Sequence, residues 1–135
     1  MTIKIWDWKN KSCKNTLKGH EKWVKCVFEL DNEILLSGSD DNLIKVWENG
    51  NCKKTIQAHN NSVRTFCQIN KNYFVSGSFD KTIKIWNINT YKLFQELEEH
   101  TSNVICVIKL SENSFASCSN DKTIKIWEKE DNDKS

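Results

Sequence analysis

The sequence has no proline, only four glycines and one methionine in 135 residues, so its turns fall to Asn, Asp, Ser and Lys. No apolar stretch approaches the roughly 18 residues of a membrane-spanning helix. No block of like charge stands out: 20 Lys and Arg are interleaved with 18 Asp and Glu, for a net charge of +2. That interleaving argues against a dedicated nucleic-acid or membrane surface. Residues 1–7 show no basic start followed by an apolar core of signal length. The six cysteines are therefore expected as free thiols in a soluble intracellular protein, cytoplasmic or nuclear, and not as a secreted disulfide framework. A chain of 135 residues has the size of one structural unit, and it buries a core only if its elements close or stack.

The sequence does contain a repeat. One string occurs four times, as TIKIW at 2–6, LIKVW at 43–47, TIKIW at 82–86 and TIKIW at 123–127. His20, His59 and His100 each stand 27 residues before a Trp of that string. The spacing inside a unit is thus fixed, and the variation falls between a Trp and the next His, in the polar stretches 9–12, 49–51 and 87–90. Those stretches read as turns. Apolar and β-branched residues come in short runs, at 24–30, 33–38, 43–47 and 52–57 in the first full unit. Runs this short, broken by Asn, Asp, Ser and Gly, predict strands and not helices. Four antiparallel strands per period make a propeller blade.

Segments 37–47 (SGSDDNLIKVW), 76–86 (SGSFDKTIKIW) and 117–127 (SCSNDKTIKIW), with Gly19-His20 opening a unit and Trp6-Asp7 closing one, resemble the WD-repeat family over residues 2–128. The sequence departs from the family pattern at several points. The Gly before His becomes Ala58 and Glu99, the Asp after Trp becomes Glu48, Asn87 and Glu128, and Cys118 replaces a Gly. The resemblance implies an all-β fold of four-stranded antiparallel blades. The count is 13 strands, about three and a quarter blades, with repeats at 1–7 (partial), 8–47, 48–86 and 87–127 and a charged, disordered tail at 129–135. Propellers close with at least four blades, so the open arc is expected either to belong to a longer protein or to self-associate. In the second case two chains would form a six-bladed ring, the strand at 13–18 of one copy completing the last blade of the other and residues 2–6 being displaced.

His20, Ser37, Asp41 and Trp47 recur as His59, Ser76, Asp80 and Trp86, and again as His100, Ser117, Asp121 and Trp127. An indole only donates, a hydroxyl and an imidazole accept and pass a bond on, and a carboxylate accepts, so each set can form a chain. The resemblance assigns these tetrads to holding a blade together. A hydrolase triad is rejected, because a triad occurs once and this set occurs three times, with no Gly-x-Ser-x-Gly turn anywhere. The expectation is therefore a protein without catalytic residues, cofactor or metal. Cys13 and Cys52 share a repeat position with Leu93, and Cys26 and Cys106 share one with Thr65, which reads as packing. No Cys-x-x-Cys pair is present for zinc.

The resemblance further places partner contacts at one end of the propeller, called here the mouth face. The positions are three and five residues after each repeat His and the residue before each tetrad Asp. Carried over, they are Trp23, Lys25 and Asp40; Ser62, Arg64 and Phe79; and Asn103, Ile105 and Asn120. The implied function is a protein-binding scaffold within a larger protein or assembly. An adaptor role in a ubiquitin ligase or signalling complex is the alternative, although Trp6-Asp7-Trp8-Lys9 has Lys where the W-D-x-R motif has Arg. An RNA-associated scaffold ranks lower, because Asp40 stands beside the basic residues and the charge is nearly balanced.

Overall fold

The computed structural model describes residues 1–130; of the tail expected at 129–135, residues 131–135 lie outside the described residues. Among the described residues thirteen strands form four antiparallel sheets. The first sheet has two strands, β1 (Thr2–Asp7) and β2 (Ser12–Lys18). A four-stranded sheet follows in the order β3 (Val24–Glu29), β4 (Leu35–Ser39), β5 (Leu43–Glu48), β6 (Asn51–Gln57). The next repeats it with β7 (Val63–Gln68), β8 (Tyr73–Ser78), β9 (Ile83–Asn87) and β10 (Leu93–Leu97). The last has three strands, β11 (Val104–Ser111), β12 (Ser114–Ser119) and β13 (Ile124–Glu128). Among the described residues no helix is long and apolar enough to cross a membrane.

Each four-stranded blade is a meander because its connections are too short for anything else. The second-to-third turns are tight, and in each the residue after the tetrad Asp takes a positive φ: Asn42, Lys81 and Lys122, at 71°, 74° and 70°. Its N–H donates back to a Ser carbonyl at 3.2 Å, which closes the turn. Alternation along the strands then gives every blade two apolar faces, and consecutive blades stack through them. Leu36, Ile44, Val46 and Ile56 of the first full blade pack against Val63, Phe66, Phe74 and Trp86 of the second. Cys67, Val75 and Ile83 of the second pack against Val104, Val107 and Phe115 of the third. The two-stranded sheet joins the stack through Ile3 and Leu17 against Trp47.

The described residues do not close a ring. At one repeat position Ile44 and Ile83 are 0% exposed, whereas Ile124, with no blade beyond it, is 75% exposed. Ile108, Leu110 and Ile126 lie open with it. At the other end the two-stranded sheet covers Trp47 but leaves Val27 exposed, while its repeat equivalents Phe66 and Val107 are buried.

One sequence expectation is corrected. Cys13, Cys52 and Leu93 are all exposed and are not packing positions. They stand at the start of the fourth, outermost strand of a blade, on the rim, where each of the two thiols lies near a backbone carbonyl and a threonine hydroxyl. Cys26 and Thr65 are packed against the next blade, and Cys106, with none to meet, is exposed.

Candidate interaction surface

The three tetrads form three identical hydrogen-bond chains. Trp47 Nε1 donates to Ser37 Oγ at 2.8 Å, Ser37 lies 2.7 Å from His20 Nε2, and His20 Nδ1 lies 2.8 Å from Asp41 Oδ2. The carboxylate only accepts, so an imidazole proton sits on Nδ1 and points at it; Nε2 then accepts the serine proton, and the hydroxyl accepts from the indole N–H. The chain repeats at Trp86–Ser76–His59–Asp80 with 2.9, 2.7 and 2.8 Å, and at Trp127–Ser117–His100–Asp121 with 2.9, 2.7 and 2.7 Å. Each carboxylate also receives two backbone N–H groups, from Glu21 and Leu43, Asn60 and Thr82, and Thr101 and Thr123.

These bonds set the acidity of the carboxylates. Burial alone would raise Asp41 and Asp80, but the His20 and His59 side chains together with the turn N–H groups hold both below the ordinary carboxylate range. For Asp121 the Thr123 hydroxyl is the largest cause of the same lowering. All three sets share this internal role, and among the described residues no buried side-chain polar atom lacks a partner. No group of three His, Cys, Asp or Glu side chains among the described residues could hold a metal ion.

Beside the tetrads, the candidate contact residues occupy one repeated frame. The backbone N–H of Asp40 donates to Trp23 O at 2.9 Å, Phe79 to Ser62 O at 3.0 Å, and Asn120 to Asn103 O at 3.0 Å. In each blade the ladder between the first two strands skips one residue, and the skipped residues are Lys25, Arg64 and Ile105. A β-bulge of this kind turns a side chain out of the alternation of its strand. The frame thus gathers the nine positions at the same end of their blades, three per blade, with Ser62 buried beneath Asp40.

The side chains on that frame interact in ways the sequence alone does not reveal. Lys25 Nζ sits 4.7 Å from the centre of the Trp23 ring and 3.4 Å from Asp40 Oδ2. Asp40 Oδ1 in turn accepts from Ser62 Oγ of the next blade at 2.5 Å. The Arg64 guanidinium lies 4.4 Å from the centre of the Phe79 ring. Trp23 is 68% exposed, whereas Ser62 is only 5% exposed and its hydroxyl is engaged with Asp40. Asn103, Ile105 and Asn120 carry no charge and make no such pairing. Trp23 and Lys25 are two residues apart in sequence, and the bulge at Lys25 brings them together. Arg64 and Phe79 are 15 residues apart in sequence and meet only once the register is fixed.

Comparison with known families agrees with this geometry: the family described as "WD domain, G-beta repeat" matches residues 11–48, 50–87 and 91–128. The chain belongs to the WD-repeat family. Nuclear distribution protein nudF 1 of Talaromyces marneffei is 49% identical to this WD-repeat chain over 45 residues. That match spans 33% of this chain and 10% of the length of that protein. WD repeats generally serve as protein–protein interaction scaffolds.

Proposed function

We propose that this chain is a non-catalytic scaffold that holds a protein partner on its mouth face, with Trp23, Lys25, Asp40, Arg64 and Phe79 at the centre of contact. The supporting observation is that the frame repeats while its side chains do not. Each blade has the same bulge and the same backbone hydrogen bond, yet the three sets are Trp/Lys/Asp, Ser/Arg/Phe and Asn/Ile/Asn. A requirement of folding would recur with the fold, as the tetrads do. Side chains that differ from blade to blade suit recognition, and Trp, Phe and Arg are the types that most often anchor interfaces. The residues at 103, 105 and 120 then form the uncharged flank of the site, and Ser62 orients Asp40 from beneath. An RNA ligand has less support, since the contact positions of the third blade, 103, 105 and 120, add no cation.

The experiment is quantitative capture of cellular proteins by the full chain and its variants. A partner of the mouth face is retained by wild type and by Trp8→Ala, a change at an exposed indole on the β1–β2 turn, and is lost with Trp23→Ala and Phe79→Ala. A partner indifferent to both latter changes would move the site elsewhere.

We further propose that the open side of the third blade is covered by another blade of the same kind. Support comes from Ile124 and Ile126, exposed at positions that are buried or half-buried in the covered blades. Light scattering with a thermal melt separates the sources. A mass of two chains with a concentration-dependent melt means a second copy, and a poorly cooperative single chain means blades from a longer protein. A monomer with a sharp, concentration-independent melt would sink the proposal.

A further inference from the structure

The two cations of the mouth face are not in the same state. Lys25 has Asp40 at 3.4 Å. Arg64, half-buried and carried on the bulge of β7, forms no ion pair with a carboxylate among the described residues. It is the sole arginine beside 19 lysines in the sequence. Its guanidinium lies against the Phe79 ring, which leaves its N–H donors free while restricting its motion.

The nearby groups that could neutralise it are otherwise committed. Asp40 is held by Lys25 and Ser62, and Asp80 by His59, Thr82 and the Asn60 and Thr82 backbone. The Cys26 thiol lies close enough to feel the guanidinium charge, but burial pushes it up to about 12, so it stays a neutral thiol at pH 7. An immobilised, half-desolvated guanidinium with no internal acceptor is arranged to receive one from outside.

We infer that the mouth face recognises an acidic peptide segment of a protein partner, a Glu or Asp carboxylate seating on the Arg64 guanidinium and a neighbouring apolar side chain packing on Trp23. This rests on the reading of the mouth face as the contact surface and adds the chemistry of the ligand. A carboxylate suits the site better than a phosphate. One carboxylate carries one charge and takes two parallel bonds from the guanidinium fork, whereas a phosphate near two charges leaves one unmatched beside Asp40. An RNA strand would need further cations along its path, and the next blade offers Asn103, Ile105 and Asn120 instead.

The test is selection of a random linear peptide library on the full chain, followed by affinity measurements on one selected peptide. The expected consensus contains an acid next to an apolar residue. Replacing that acid with its amide, or Arg64→Gln in the protein, should weaken binding about tenfold, the loss expected for a charge-assisted bidentate pair. Arg64→Lys should recover only part of it, because the ammonium lacks the fork. Arg64 makes no ion pair among the described residues, so its variants should melt close to wild type, and Trp23→Ala should weaken the same peptide. Peptides sensitive to Trp23→Ala but without an acid, or indifferent to Arg64→Gln, overturn the acidic ligand and leave the mouth-face reading standing. Phosphoserine in place of the acid binding more tightly also overturns it, in favour of a phosphorylated partner. Peptides indifferent to every mouth-face change, or no selection at all, overturn both.

Discussion

Ser62 of the second full blade donates a hydrogen bond to Asp40 of the first, at 2.5 Å across the seam between them. Asp40 also holds Lys25, which lies over Trp23, so one hydroxyl beneath the surface orders three residues of the mouth face. Ser62→Ala should lower stability by about 1 kcal/mol, read from denaturant unfolding, the usual net worth of one hydrogen bond. It should also loosen the Trp23 side chain, seen as a change in indole fluorescence. An unchanged midpoint and unchanged fluorescence would mean that the seam bond carries nothing.

Asp80→Ala removes the acceptor at the end of a buried chain. It removes the acceptor shared by His59 Nδ1 and the N–H groups of Asn60 and Thr82, and leaves Nδ1 only the Thr82 hydroxyl at 3.1 Å. The loss should be about 1–3 kcal/mol, the cost of depriving a buried donor of its partner. Hydrogen exchange should locate the damage in β8 and β9, with the first full blade less affected.

The lowered acidity of Asp41, Asp80 and Asp121 sets a pH dependence of stability. In the unfolded chain these carboxylates take up protons near the ordinary value of 3.8, while in the folded chain they resist until lower pH. Their contribution is therefore fully present above about 4 and is lost as pH falls from there through the folded values. Unfolding midpoints should be insensitive to these groups between pH 5 and 7 and should decline below about 4. Asp80→Asn should make that decline shallower; an equally steep decline in the variant would refute the assignment.

Glycine matters where one blade passes beneath the next. A Cβ on Gly77 would stand 2.7 Å from Thr65 Cγ2 and from Val104 Cγ1, and one on Gly38 would stand 2.6 Å from Val63 Cγ1. Gly77→Ala should therefore cost about 1–3 kcal/mol by overpacking. The same repeat position in the third blade holds Cys118, which has no valine of a following blade above it among the described residues. Cys118→Gly should leave the stability of this chain close to unchanged, and the contrast between the two substitutions is the measurement.

Much of the architecture was legible in the sequence because its signals are local or periodic. The fixed interval from His20 to Trp47, repeated twice more, marked the repeat and its recurring polar residues, and the short apolar runs marked the strands. The exposed rim cysteines were misread because repeat position alone does not say which strand lies outermost. Ser62 stood among the contact candidates by position, but only packing shows that it faces inward to Asp40.

By itself, then, the sequence determined the four-stranded period, the composition of the tetrads and the all-β class, because backbone pairing and side-chain alternation depend on spacing along the chain. Only the tertiary structure decided which side chains meet across strands and seams: Asp40 with Ser62, Arg64 with Phe79, and the bulges that turn Lys25 and Arg64 outward. Those contacts join residues distant in sequence, and their existence follows from strand register and blade stacking, which no local pattern encodes.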